Sequence, residues 1–295
     1  MSKILVTGGA GFIGSHVVDR LVADGHEVVV IDNLSTGDKN FVNPKAIFHE
    51  QDICEWEKIA PLFKGIEAVF HLAADPRLQM SIDHPLKTHA TNVTGTVNVL
   101  WAAKQAGVKK VLFASSCTVY GDCPTIPLSE ADCGNPMSPY GLHELMGEQY
   151  MRLFSSLFGL PTLCLRLFNV YGPRKKAGGA YPMVIPIFIQ QKRNGEALTV
   201  VGDGEQTRDY VHVSDVVEAF MLAWQSPFAD GRAINIAEGR QRSVNEIAAL
   251  VGGAVEHISS RVGEMRFVEA NTMAARELLT WKPKLRFEDG IRQLL

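Results

Sequence analysis

Lys3-Ile-Leu-Val-Thr-Gly-Gly-Ala-Gly-Phe-Ile-Gly14 is the stretch whose reading decides the fold. Ile4, Leu5 and Val6 form a short aliphatic run of the kind that makes a strand buried on both faces. The run stops at Thr7, and glycines follow at 8, 9, 11 and 14. Gly8 permits a tight turn, Gly11 lets a pyrophosphate approach the backbone, and Gly14 lets the next helix pack closely on the strand. That helix carries Ile13, Val17, Val18 and Leu21 as an apolar face. Its first turn has N–H groups without intrahelical acceptors and a partial positive charge, which together suit a phosphate. Glycine clusters also serve as ordinary turns. A strand before and a helix after are the context that reads this one as a dinucleotide cradle.

A second strand, Glu27-Val-Val-Val-Ile31, ends at Asp32. A carboxylate about 20 residues beyond such a motif can grip an adenosine ribose 2′-OH. With Asn33 and Leu34 behind it and no Arg, Asp32 favours NAD over NADP. The segment from Ala46 leads to Asp52-Ile53, where Asp52 can accept from an adenine amino group, cap a helix over Trp56 to Phe63, or do both. The strand Ala68-Val-Phe-His-Leu72 is followed by Ala73-Ala74, two small residues that leave room for a flat cofactor at a strand's C-terminal end. Residues 85–105 are helical in pattern, with Val93, Val97, Leu100 and Trp101 on one side, and Asn92 is expected to brace a neighbouring loop. A fifth strand, Lys110–Ala114, delivers Ser115-Ser-Cys-Thr-Val-Tyr-Gly121 to the same edge. In Ser138-Pro-Tyr-Gly-Leu-His-Glu-Leu-Met-Gly-Glu148 the later half is a helix, so Tyr140 and Glu144 share a face. The alternation predicts an α/β fold, a Rossmann-type doubly wound parallel sheet.

The bulk numbers agree with a globular chain. Its 295 residues can bury a large core, and 46% hydrophobic with 21% charged residues is ordinary for a soluble protein. A formal net charge of −3 gives no electrostatic reason to expect nucleic acid or a membrane surface as partner. No apolar run reaches the roughly 18 residues of a membrane span. The first strand starts almost at once, which leaves no room for a signal peptide. Cysteines at 54, 117, 123, 133 and 164 are odd in number and lack metal-ligand spacing. They read as reduced thiols in a cytoplasm, with no metal expected.

Taken together, TGGAGFIG, Asp32, HLAA, SSCTVYG and SPYGLHELMGE resemble the extended short-chain dehydrogenase/reductase family. The nearest pattern within it is that of the nucleotide-sugar 4-epimerases of the UDP-glucose/UDP-galactose type. Leu167-Phe-Asn-Val-Tyr-Gly-Pro-Arg174, Gly202-Asp-Gly-Glu-Gln-Thr-Arg-Asp-Tyr210 and Arg261-Val-Gly-Glu264 agree with it. The resemblance implies a tightly held NAD, contacted by Gly8, Gly11, Phe12, Ile13, Gly14, Asp32, Asn33, Asp52, Ile53, Leu72, Ala73 and Ala74, and by Tyr140 and residue 144. It implies hydride removal from C4 of a UDP-sugar and return to the other face of the ketone. Tyr140 matches the tyrosine that takes the 4-hydroxyl proton, Ser116 the serine on the same oxygen, and Thr118 a further polar contact near the sugar. Asn169, Arg208 and Arg261 match residues on the substrate's diphosphate, a task that suits forked guanidinium donors. Asp209 reads either as part of that group or as an ion-pair partner of Arg208. Val184–Ile189 resembles the helix that flanks uracil, whereas Val244–Val251 reads as core.

Residue 144 departs from the pattern, because the family's Tyr-x-x-x-Lys has become Tyr140-x-x-x-Glu144. The lysine holds nicotinamide-ribose hydroxyls and lowers the tyrosine's pKa. A carboxylate can accept from ribose hydroxyls but disfavours a phenolate. From a pKa of about 10, an unassisted tyrosine is ionised only to about one part in a thousand at neutral pH. His143, about 100° around the helix from Glu144, is no obvious replacement base. Two functions follow: an NAD-dependent 4-epimerase, slowed or retuned at Glu144, or a catalytically silent NAD- and nucleotide-sugar-binding protein. Dehydration and decarboxylation are disfavoured, because Thr118-Val119-Tyr120 lacks the carboxylates those branches carry there. Val268 falls near a position that gates space beside the sugar's 2-substituent, so N-acetylhexosamine nucleotides are expected alongside plain hexoses. By the same resemblance, residues 1–165 form the NAD-binding domain and 166–295 an interleaved nucleotide-sugar lobe. A homodimer through helices matching 85–105 and 138–155 is expected.

Overall fold

The structure, a computed structural model, describes residues 1–132, 134–177, 183–259 and 266–295. Seven strands form one parallel sheet: β1 (Lys3–Thr7), β2 (Glu27–Asp32), β3 (Ile47–Glu50), β4 (Ala68–His71), β5 (Lys110–Ser116), β6 (Thr162–Leu167) and β7 (Asp230–Ile236). Their order is β7-β6-β5-β4-β1-β2-β3. The sheet winds outward in both directions from the β1–β4 pair, where Thr7 is in register with His71. Successive side chains of a strand point to opposite faces, and the core divides accordingly. Ile4 and Val6 join a cluster with α1 (Phe12–Ala23) and the helix Val213–Gln225, while Leu5 joins a second cluster on the other face. That second face is covered by Gly95–Ala106 and by the long helix Pro139–Phe158. Both faces are buried, which is why the strands read as continuous apolar runs rather than alternating ones.

The helix expected over 85–105 is interrupted. It runs Pro85–His89, passes through a π turn over Ala90–Thr94, and continues as Gly95–Ala106. Asn92 sits in the π turn, and its side-chain amide clamps the Asp75 backbone after β4 from both sides. Asn92 Oδ1 accepts from Asp75 N–H at 2.7 Å, and Nδ2 donates to Asp75 C=O at 3.0 Å. Such π turns cluster at functional sites, and this one braces the loop at the cofactor edge.

After β6 the chain leaves the sheet and builds a smaller apolar cluster. Ile185 and Phe188 (helix Val184–Asn194), Ile247 and Val251 (helix Val244–Val251), and Phe287 and Ile291 (helix Phe287–Leu294) meet there. The helix Val213–Gln225 and strand β7 nevertheless belong to the large sheet. Among the described residues no helix is long and apolar enough to cross a membrane, and no three His, Cys, Asp or Glu side chains gather as metal ligands would.

Candidate functional site

The strand order reverses between β1 and β4, and a doubly wound sheet binds ligands at the C-terminal ends of strands beside such a reversal. There Gly8 adopts φ +72°, and a Cβ on it would stand 2.7 Å from Ala73 N. A Cβ on Gly14 would come 2.1 Å from the Gly8 carbonyl oxygen. The turn is therefore closed to side chains on both sides, and α1 is pressed against it. The N–H groups of Phe12 and Ile13 have no acceptor among the described residues. Ala73 N–H donates to the Thr7 hydroxyl at 3.3 Å. That hydroxyl also meets His71 Nδ1 at 2.6 Å, and His71 Nε2 meets the Thr96 hydroxyl at 2.9 Å. Burial pushes His71 down to about 3, so it stays neutral and rigidly ties β1, β4 and the helix after the π turn.

Asp32 is buried and accepts from Ala10 N–H at 3.0 Å and Leu34 N–H at 2.8 Å. Burial raises its pKa against those two donors. Asn33 donates to Asp52 at 2.8 Å, which joins two of the expected cofactor contacts. The capping alternative for Asp52 is corrected: its carboxylate accepts from Cys54 N–H at 2.8 Å, and Glu55 holds the N-cap of the helix Trp56–Ile59. Ile53 is only 4% exposed and packs under Gly95, so its side chain is core and only its main chain is available to a ligand. Leu72, Ala73 and Ala74 are half-buried where β4 ends.

At the end of β5, Ser116 Oγ accepts from both the Thr118 N–H (3.2 Å) and the Thr118 hydroxyl (3.0 Å). The Ser138 side chain caps the helix Pro139–Phe158, and Tyr140 N–H donates to the Ser81 hydroxyl at 3.1 Å. Tyr140 is half-buried. Burial first, and then the Glu144 carboxyl, hold its phenol well above the usual range, while the neighbouring Ser116 hydroxyl pulls the other way.

Glu144 is 2% exposed. Among the described residues no Lys, Arg or His lies within salt-bridge distance of it. The buried guanidinium of Arg166 is engaged instead by Glu148 one turn along, at 2.8 and 2.7 Å, and by the Glu130 carbonyl at 3.4 Å, and Glu148 also accepts from Ser115 at 2.6 Å. Burial, reinforced by Glu148, raises Glu144 well above the usual carboxyl range. Glu144 is thus a buried carboxylic acid beside the tyrosine, with neither a surface partner nor a rescuing cation. His143 faces elsewhere, stacked edge-on against His89 at 5.3 Å. The Glu148–Arg166 pair is the feature a linear reading missed; its only signal was the i, i+4 spacing of two glutamates.

The remaining expected contacts are distributed unevenly. Asn169 sits at φ +25° with its amide donating to the Asp209 carbonyl at 2.9 Å. Arg208 is half-buried, and its guanidinium donates to the Thr207 carbonyl at 2.8 Å. The ion pair between Arg208 and Asp209 is not formed. Asp209 instead accepts from the main-chain N–H groups of Glu238 (2.9 Å), Gly239 (3.0 Å) and Ala270 (3.1 Å), with burial lifting it to about 7. Val268 is 1% exposed in a cluster with Val119, Tyr120, Leu128 and Phe168. Arg261 lies outside the described residues, as does Cys133. A cavity of about 750 Å³ opens elsewhere, between Gly172–Ala177 and the helix Val184–Asn194, and neither Tyr140 nor Gly8 lines it.

Residues 4–237 match the NAD dependent epimerase/dehydratase family. The chain belongs to that family. A UDP-glucose 4-epimerase of Mycolicibacterium smegmatis is 39% identical over 303 residues, covering 98% of this chain and 96% of that one. Among solved structures, a UDP-glucose 4-epimerase from Thermotoga maritima superposes with a TM-score of 0.94 at 38% identity, over 98% of this chain and 96% of that one. A UDP-N-acetylglucosamine 4-epimerase from Methanobrevibacter ruminantium does so with a TM-score of 0.94 at 33% identity, over 99% and 96%. The family's cofactor is NAD, and the residues present fit it. The cradle that any Cβ would fill and the free N–H groups of Phe12 and Ile13 suit its pyrophosphate. Asp32 suits a ribose diol.

Proposed function

We propose that this protein epimerises C4 of a UDP-hexose with NAD as a retained cofactor. What supports the reading is that Ser116 ends β5 close enough to Tyr140 for its hydroxyl to pull the phenol's pKa down against burial. Ser116 ends β5 and the Gly8–Gly14 cradle follows the end of β1, so both lie at the C-terminal edge of the same parallel sheet. Bound NAD supplies the hydride acceptor and donor. Tyr140 takes the 4-hydroxyl proton and returns it after the ketone has turned over, and Ser116, oriented by Thr118, hydrogen-bonds the same oxygen. Asn169 and Arg208 hold the diphosphate. Both plain and N-acetylated sugars occur among the similar epimerases, and a valine at 268 in place of a bulky aromatic supports acceptance of the larger one as well.

A second reading rests on Glu144. With a neutral acid where the family pattern has lysine, nothing on the helix favours the phenolate, and the protein is slow or silent while still binding its ligands. Incubation of purified protein with UDP-glucose, UDP-galactose and their N-acetylhexosamine counterparts, followed by chromatography, separates the two. A 4-epimer formed at a normal enzymatic rate establishes the first reading. No isomer from any sugar, despite NAD and UDP binding, establishes the second. We also infer a homodimer, supported by exposed Leu86, Leu142, Leu153, Leu157 and Phe158 on the helices expected to pair. Sedimentation at micromolar concentration tests it, and a monomer would overturn it.

A further inference from the structure

The loop that leaves the small strand Val170–Tyr171 carries Arg174, Lys175 and Lys176 in succession, and it is tied to the dinucleotide-binding half. Arg174 pairs with Asp19 of α1 at 2.7 Å, and Lys176 pairs with Asp38 at 2.8 Å. Both cations also stand over the Phe41 ring, at 5.7 and 5.5 Å from its centroid. His16 of α1 meets the Pro173 carbonyl at 3.1 Å. The middle residue differs from its neighbours. Lys175 is half-buried and pairs with no carboxylate among the described residues. Its ammonium lies 5.2 Å from the ring centroid of Phe12, the first residue of α1.

That ring belongs to the first residue of α1, the end where the helix dipole is positive and where the Phe12 and Ile13 N–H groups have no acceptor among the described residues. Like charges gathered in a half-buried place cost free energy unless an anion sits between them. Burial already lowers the Lys175 pKa. Arg174 and Lys176 are each held in an ion pair that pins the loop, and among the described residues Lys175 is the cation of the strap that no carboxylate pairs.

We propose that Lys175 is a diphosphate ligand that closes over the cofactor's pyrophosphate, with the 173–176 loop as a strap pinned through Asp19 and Asp38. The inference rests on NAD being the cofactor. The chemistry that Lys175 recognises, a diphosphate, is shared by the dinucleotide and by a nucleotide sugar; its contact with Phe12 of α1 favours the dinucleotide, and because Lys175 also lines the cavity against the helix Val184–Asn194, the titration must separate the two.

The test is binding, not turnover. NAD-depleted wild-type protein and Lys175→Met are titrated calorimetrically with NAD, ADP-ribose, adenosine and UDP. NAD and ADP-ribose should each weaken roughly tenfold or more, the size of one charge-assisted hydrogen bond. Adenosine and UDP should bind as in wild type, which also shows that the variant is folded, and Lys175→Arg should recover most of the loss. Wild-type NAD affinity in Lys175→Met overturns the proposal. So does a loss confined to UDP, which would give Lys175 to the substrate's diphosphate. A wild-type protein that binds no NAD overturns the cofactor reading itself, a result distinct from an unchanged variant.

Discussion

The two ends of the cofactor site are built on different physics. At the pyrophosphate end the determinant is shape: Gly8 and Gly14 are pressed against neighbouring backbone, and unfilled N–H groups wait at α1. At the tyrosine end the determinant is charge in a low dielectric. Glu144 and Glu148 stand one helical turn apart, both buried, and a single guanidinium serves one of them. A shape site tolerates no added atom but is indifferent to pH. A buried charge site tolerates small changes of shape and responds strongly to any change of charge. The first end can be read as binding from its backbone alone, while the second, in the function proposed above, governs turnover through which proton sits where.

The largest effect expected from breaking this contrast is at Arg166. Arg166→Ala would strand Glu148 as an unpaired buried carboxylate beside Glu144 and should cost about 3–5 kcal/mol in urea unfolding. A loss below about 1 kcal/mol, the scale of exposed pairs, would show that the tyrosine end is not charge-determined. Next comes the shape end. Gly14→Ala must displace the Gly8 carbonyl, and a shift approaching an ångström should weaken NAD binding on the order of 10²-fold. Near-native affinity by fluorescence titration would show the cradle to be soft.

Replacing Glu144 by Lys places a cation beside Tyr140. Turnover of the accepted UDP-hexose should rise on the order of 10²-fold, within the usual span of general acid–base assistance. An unchanged or lower rate would mean that the site has been retuned around the acid. The smallest effect is thermal. The Glu144 pKa is raised in the folded protein, so its favourable contribution is complete below the unfolded value of about 4.3. It is lost as pH rises toward the folded value. Glu144→Gln removes that dependence, so the melting temperature of the variant relative to wild type should climb from pH 5 to pH 8. Each kcal/mol corresponds to roughly 2–4 °C, and a gap that stays flat with pH would contradict the buried-acid description.

Much of this was legible along the chain, because strand, turn and helix signals are local. Ile4, Leu5 and Val6, then the spaced glycines, then Asp32, specify a βαβ unit from residues close in sequence. The capped helix beginning at Pro139 puts Tyr140 and residue 144 on one face by geometry alone. What was not legible depends on partners far apart in sequence. Nor was it legible that the side chains of Ile53 and Val268 pack into the core, against Gly95 and in the cluster with Phe168, which leaves Ile53 its main chain for a ligand. Asp209 read as a partner for its neighbour Arg208, but three main-chain donors from beyond residue 237 claimed it. Asn92, in the π turn, clamps the backbone of Asp75, 17 residues away.

By itself, then, the sequence determined the dinucleotide cradle and the identities of Tyr140 and Glu144, since these follow from backbone preference and helical spacing. Only the tertiary structure decided the state of Glu144. Its charge depends on desolvation and on Glu148, and Glu148's own partner, Arg166, arrives from strand β6, 18 residues further on. Coulomb energies in a buried site depend on distance in space and on water excluded by the whole fold, and neither quantity is written in the order of the residues.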